Sequence, residues 1–169
     1  MINRLGEREL RTKFGTFTEI LYYDGQKESI ALVTGDVANG QRVLCRVHSH
    51  CIGAHVFNSI ECTCREEMEA SQQLIQKAGQ GVIIWLDQEG KGNGHLALIQ
   101  STPFKENGSS QANSYLKAGF EADGRRYHAA ANILSDLKIR SIVLLANNPD
   151  KADDLRKASI TVLDTKRLT

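Results

Sequence analysis

The amino-acid sequence predicts an α+β fold: a mixed sheet with an antiparallel N-terminal meander and strand–helix units in the C-terminal half. Three observations lead there. Residues 11–50 carry short β-rich runs broken by Gly and Asn; GVIIWL (81–86) and SIVLLA (141–146) are continuous apolar runs of the kind buried on both faces of a sheet; and helical patterns alternate with them. The chain has 169 residues, two prolines, and no repeat, low-complexity tract or Pro/Gly linker, so residues 1–169 read as one domain with enough chain to bury its own core.

Taken in order, RTKFGTFTEILYYD (11–24) alternates as a strand, with Phe14, Phe17 and Ile20 toward the core. ESIALVTGDV (28–37) is a second strand, closed by Gly35 and Asp36. In VANGQ (37–41), Asn39-Gly40 supplies the positive φ angles of a tight hairpin, which makes RVLCRVHSH (42–50) the third strand of the meander. REEMEASQQLIQKAGQ (65–80) is a helix, with Met68, Leu74, Ile75 and Ala78 on one face and Gly79 as its C-cap. After GVIIWL comes the glycine-rich DQEGKGNGH. SYLKAGF then precedes a second helix from Arg125 to Lys138, for which Asp123 reads as the N-cap. SIVLLA is followed by a helix in NNPDKADDLRKA, with Pro149 near its first turn, and ITVL (160–163) is the last strand.

Composition narrows the function classes. A net charge of +1 demands neither nucleic acid nor an anionic membrane as partner. No apolar run approaches the ~20 residues of a membrane span, and MINRLGERELRTKFG lacks the apolar core of a signal peptide. The expected location is the cytoplasm, where clustered cysteines read as metal-binding or catalytic.

The cluster is CIGAHVFNSIECTC, with cysteines at 51, 62 and 64. Thiolates favour zinc, held tetrahedrally at roughly 2.3 Å; four protein ligands make a closed structural site, while three leave a position for water or substrate. Cys45, in the apolar run VLCRVH, behaves as a small buried hydrophobe. Three readings stay open: a catalytic metal on Cys51, Cys62 and Cys64; a structural metal closed by His50 or His55; and buried free thiols. The Cys-x-Cys pair speaks against the last in a strand, where neighbours face opposite ways, so both sulfurs converge only from a turn.

Ligands bind outside the carboxyl ends of strands in open α/β sheets. At one such end, Asp87 to His95, three glycines free backbone amides to approach phosphate, Lys91 adds charge, and Glu89 can accept from the donor edge of a base; an ordinary flexible loop is the alternative. At another, Asn147 to Lys151 opens a helix N-terminus suited to an anion or to simple capping. Between them Asp123, Arg125 and Arg126 place one acid beside two guanidinium groups that match phosphate bidentately.

These pieces together resemble the GTP cyclohydrolase II family, the zinc enzymes that open the guanine imidazole ring in riboflavin synthesis. The resemblance rests on Arg46-Val47-His48-Ser49 leading to Cys51, on Cys62-x-Cys64, on Gln88-Glu89-Gly90, on Gly119-Phe120-x-Ala122-Asp123-x-Arg125, and on Asn147-Asn148-Pro149 followed by Lys151. It implies one Zn2+ per chain on Cys51, Cys62 and Cys64, a zinc-activated water attacking the carbon between the imidazole nitrogens, and release of that carbon as formate. It implies Asp123 as proton acceptor and Arg125 as a nucleophile toward the α-phosphate, with pyrophosphate leaving; a protonated arginine is a poor nucleophile, and electrostatic stabilisation serves as well. By the same likeness Arg46, Val47, His48, Ser49 and His50 line the nucleotide site, Glu89, Gly90 and Lys91 continue it, and Lys151 binds phosphate. A cytosolic homodimer that uses Mg2+ with its triphosphate is implied too.

The chain also departs from the family pattern. His50 stands for an acid, His55 for an Asp, Lys91 for an arginine, Glu67 for a glutamine, Gln111 and Ala146 for threonines, and Thr102 for an active-site tyrosine. The metal ligands and the Asp123/Arg125 pair are spared; positions that hold the nucleotide or finish the reaction are not. The expectation is therefore retained ring-opening hydrolysis of GTP or a related purine nucleotide, with the reaction either completed or halted at the ring-opened formamide. An acid at Glu67 repels a triphosphate unless a metal intervenes. The alternatives are a hydrolase of another heterocycle, such as a pyrimidine, and a non-catalytic zinc-stabilised nucleotide-binding domain.

Overall fold

A computed structural model describes residues 1–168. In chain order the elements are β1 (Asn3–Thr12), β2 (Gly15–Tyr23), β3 (Glu28–Thr34), β4 (Val43–Ser49), α1 (Ile52–His55), α2 (Cys64–Ala78), β5 (Gly81–Leu86), α3 (His95–Glu106), α4 (Gln111–Lys117), α5 (His128–Asp136), β6 (Ile142–Leu145), α6 (Asp150–Lys157) and β7 (Val162–Lys166). All seven strands join one sheet in the order β1-β2-β3-β5-β4-β6-β7. β1, β2, β3 and β5 pair antiparallel; β5, β4, β6 and β7 run parallel. The mixed α+β architecture with its N-terminal meander is as the sequence predicts.

The meander is built from different strands than expected. Residues 11–24 are not one strand. They contain the β1–β2 turn, where Phe14 N donates to Thr12 Oγ1 at 3.1 Å and Thr12 Oγ1 donates to the Gly15 carbonyl at 2.8 Å. β1 has no apolar alternation in GERELR because it is an exposed edge strand ordered by pairing with β2. Nor does Asn39-Gly40 close a hairpin. Asn39 does take a positive φ of 58°, but β5 lies between β3 and β4, so the turn starts a crossover and docks through Asn39 N on the Lys138 carbonyl at 2.8 Å.

Side-chain alternation sorts β5 between two clusters. Val82, Ile84 and Leu86 join a larger core with Ile133 and Leu134 of α5 and Leu155 of α6, whereas Ile83 joins Phe17 and Ile75 under α2. Helices thus cover both faces. Cys45 is wholly buried in the larger cluster, and burial pushes its thiol up to about 12, as befits a small hydrophobe. α2 ends at Gly79, whose φ of 73° lets its amide reach the Ile75 and Gln76 carbonyls. Ala78, expected on the buried face, is exposed. α3 and α4 lie in HLALIQSTPFKENGSSQANSYLK, outside the helices the sequence predicts, and Pro103 sits inside α3. α5 begins at His128 rather than Arg125, and Tyr127 takes the N-cap position expected of Asp123. No helix among the described residues is long and apolar enough to cross a membrane.

Candidate active site

Because β4, β5 and β6 are parallel, their carboxyl ends open on one edge. The segments that follow them carry nearly every residue singled out in the sequence. Cys51 N-caps α1 directly after β4, and Cys62 and Cys64 flank Thr63, the N-cap of α2 (φ −100°, ψ 17°). The Cys-x-Cys pair therefore lies on a turn into a helix, and its sulfurs converge with that of Cys51. The three sulfurs lie within 4.8 Å of one another, and Cys51 and Cys62 are 3.6 Å apart. Tetrahedral zinc with ligands at ~2.3 Å requires sulfurs roughly 3.8 Å apart, so the donor set fits that metal. Burial and the neighbouring thiols raise Cys64 well above its ordinary value, and Cys51 is raised by burial first. A cation relieves that cost by taking the thiolates as ligands.

Among the described residues, no histidine or carboxylate joins the three sulfurs. His55 is turned elsewhere. Arg46 Nε donates to His48 Nδ1 at 3.4 Å, so the proton of neutral His48 is on Nε2, which donates to His55 Nε2 at 2.9 Å. Burial first, then Arg46, lowers His48 far below its ordinary value; burial and Arg65 lower His55. Arg65 in turn donates to the Ala54 and His55 carbonyls at 2.9 and 2.8 Å, fixing α1. His50 packs on Trp85 with ring centroids 5.2 Å apart, its Nε2 3.6 Å from Glu89.

The sulfurs face a cavity of about 490 Å³. Ser49, His50, Gln88, Glu89, Gly90, Lys91 and Arg125 also line it, and α3 and α4 add Thr102, Gln111 and Tyr115. Four buried side-chain polar atoms have no partner among the described residues: Ser49 Oγ, His50 Nδ1, Gln88 Nε2 and Tyr127 Oη. The first three belong to residues of this wall. Buried polar atoms are ordinarily satisfied, so these three are polar groups with an unmet hydrogen bond just behind the cavity wall. Glu89 accepts from the Ile52 amide at 2.9 Å, which anchors its carboxylate beside the metal turn. The Thr102 hydroxyl donates to the Leu98 carbonyl of its own helix at 2.9 Å.

The glycine-rich loop works differently from a phosphate cradle. The amides of Gly92, Asn93 and Gly94 are bonded to carbonyls within the loop. The glycines serve close approach instead: a Cβ on Gly92 would lie 2.5 Å from the Gly124 carbonyl, where Gly124 N donates to the Lys91 carbonyl at 2.8 Å. That contact carries Arg125 to the cavity wall; Asp123, its partner, is exposed and lies outside the cavity's lining. Arg125 grips Asp123 through Nε at 2.9 Å and Nη2 at 2.6 Å. Burial opposes ionisation of Asp123, but the hydrogen bonds and charge of Arg125 prevail and hold it below the usual carboxylate range. Burial likewise works against the Arg125 charge, and Asp123 outweighs it, so the guanidinium is held more firmly protonated.

A second cavity of about 170 Å³ adjoins the first, sharing Ser49, Cys64 and Arg125 with it and adding Arg46, His48, Glu67, Ala146, Asn148 and Lys151. On β4, Arg46 and His48 face away from the larger core that holds Cys45 and Val47, and Arg46 meets Glu67 from the first turn of α2. The Val47 side chain is wholly buried, so this expected nucleotide contact lies in the core; its carbonyl accepts from Lys151 Nζ. Burial, aided by Arg46 and Arg125, pushes Lys151 down from 10.5 to about 7. Gln88 and Tyr115 are further wall residues; nothing in a linear pattern shows that α4 joins the wall of the thiol cavity.

A family model, GTP cyclohydrolase II, matches residues 3–167. The chain belongs to the GTP cyclohydrolase II family. The riboflavin biosynthesis protein RibBA of Bacillus cereus is 39% identical over 166 residues, covering 97% of this chain and 42% of its own length. RibBA of Bacillus cytotoxicus is 39% identical over 160 residues, with 94% and 40% covered. The chain thus spans about two-fifths of the length of these curated relatives. The fold likeness extends to the crystal structure of RibBX, a two-domain 3,4-dihydroxy-2-butanone 4-phosphate synthase from A. baumannii, with a TM-score of 0.57 at 19% identity over 98% of this chain and 40% of that one. Membership of the GTP cyclohydrolase II family accounts for the five motif blocks in their order.

Proposed function

We propose that residues 1–169 form one domain that acts as a zinc-dependent hydrolase, opening the imidazole ring of GTP or a related purine nucleotide. The observation that carries this reading is the placement of three convergent thiols on the wall of a cavity of about 490 Å³, next to a smaller cavity lined by Arg46, Arg125 and Lys151. The first suits a heterocycle and the second its phosphates. Zinc on Cys51, Cys62 and Cys64 would supply a Lewis acid that activates water.

The chain's own groups then have distinct tasks. Glu89, held by the Ile52 amide, accepts from the donor edge of the base, and Gln88 Nε2 donates. Ser49 and His50 offer further polar atoms on the same wall. Gly90, Lys91 and Gln111 complete the enclosure. Asp123 is an ionised carboxylate at neutral pH and can take a proton, although its low affinity for one makes it a weak base. Arg125, firmly protonated, stabilises charge on the phosphates instead of attacking them. Ala146 brings only a methyl group to the phosphate side. Magnesium with the triphosphate, a cytosolic location and a homodimer belong to the same reading by family likeness.

Lys151 gives this reading a pH signature. In the free protein its ammonium loses its proton near pH 7. A bound phosphate favours the charged form and raises that value, so binding takes up a proton at pH values between the free and bound pKa. Calorimetry at about pH 8 in buffers of different ionisation heat should show net proton uptake with phosphate or GTP, lost in Lys151→Met.

The test of the function is a mass balance of products from zinc-loaded protein with GTP and magnesium. Formate, pyrophosphate and the ring-opened diaminopyrimidine nucleotide together would establish complete turnover. A ring-opened formamide would place the halt at Thr102, whose hydroxyl is occupied by its own helix. Unchanged GTP with zinc bound would overturn the reading and move the assignment to another heterocycle or to a binding domain.

A further inference from the structure

We infer that Glu67 sets the phosphate preference of the site, fitting it to a nucleotide with few phosphates, a monophosphate or nucleoside, and opposing a metal-free triphosphate. This rests on the purine-nucleotide reading for the base but on this chain's own charges for the rest.

The smaller cavity has three cationic side chains, and each is already committed. Arg46 is almost fully buried, and each of its three guanidinium nitrogens has a partner within the chain. Nε meets His48 Nδ1, Nη1 donates to the Leu145 carbonyl at 3.1 Å, and Nη2 holds Glu67. Glu67 is itself held, its other oxygen 3.4 Å from Thr63 Oγ1 and from Asn147 Nδ2. Arg125 is bound bidentately by Asp123, and the Lys151 ammonium donates to the Val47 carbonyl. Asp154 is a further acid on the wall. His48 adds no charge, being buried beside Arg46.

Two of these cations are therefore matched by carboxylates, Arg46 by Glu67 and Arg125 by Asp123. Asp154 is turned to Lys157 Nζ at 3.5 Å, so that among the described residues Lys151 alone of the three is not set against a carboxylate. A phosphate monoester brings about −1.5 to −2 charges near pH 7, and every added phosphoryl group brings more. A cavity of about 170 Å³ whose surplus is at most the single charge of Lys151 gains little from the second and third phosphates. Without Glu67, Arg46 would contribute an uncompensated charge. With it, Arg46 becomes a structural strut between β4, β6 and α2.

The experiment measures affinity without added magnesium on zinc-loaded protein, using phosphate, pyrophosphate and tripolyphosphate as probes. Wild type should bind the three with affinities that rise little along the series. Glu67→Gln keeps the shape and a hydrogen-bond acceptor but removes the charge, and should bind tripolyphosphate roughly tenfold or more tighter. The GTP-to-GMP affinity ratio should rise by a similar factor. A steep rise along the series in wild type would overturn the inference without recourse to the variant. So would a Glu67→Gln protein of unchanged melting temperature that binds tripolyphosphate no better. Failure of both proteins to bind guanosine or GMP, with tripolyphosphate still distinguishing them, would overturn the purine reading and leave the role of Glu67 standing.

Discussion

Cys64→Ser should abolish stoichiometric zinc binding, lowering zinc affinity by at least roughly 10³-fold, and with it nearly all ring opening. A serine hydroxyl stays protonated at neutral pH and cannot serve as an anionic ligand. The three sulfurs lie within 4.8 Å of one another, and no histidine or carboxylate among the described residues stands by to replace a lost one. Elemental analysis after dialysis, alongside product formation, reads both effects. His55→Ala is the informative contrast. His55 is bonded to His48 at 2.9 Å and braced through its carbonyl by Arg65, so its loss should perturb α1 and the rate but leave zinc bound. Equal zinc loss in both variants would revive the closed structural site.

Arg125→Ala should lower kcat/KM for the nucleotide by about 10²–10³. Arg125 lines both the thiol cavity and the smaller polar one, and it orients Asp123 through two parallel hydrogen bonds. Removing it also leaves the exposed Asp123 carboxylate without its guanidinium partner. Arg125→Lys separates the two roles the residue has been given. An electrostatic role predicts partial activity, since a point charge persists without the fork. A nucleophilic role predicts none, together with a nucleotidyl adduct on wild-type protein by mass spectrometry. The firmly protonated state of Arg125 favours the first outcome.

Several elements could be read from the chain because their signal is local. GVIIWL and SIVLLA are buried strands wherever they sit, Gly79 ends a helix by its positive φ, and three cysteines with a turn between two of them can converge on one ion. β1 is not legible in the chain because an edge strand of charged residues is ordered by its neighbour. Asn39-Gly40 is legible as a turn but not as the start of a crossover, since φ angles say nothing about which strand the next one joins.

From sequence came the family, the metal ligands and the list of residues around them. Tertiary structure decided what those residues touch. Insertion of β5 between β3 and β4 makes β4, β5 and β6 parallel neighbours and brings their carboxyl ends to one edge. The same arrangement sets Glu67 against Arg46 and ties His55 to His48 rather than to the sulfurs. It also brings α3 and α4 to the wall of the thiol cavity and confines Lys151 where burial weakens its hold on a proton. Spacing along a chain governs how its local turns bend; pairing between distant segments governs which charges meet, and it is those meetings that set the chemistry of this site.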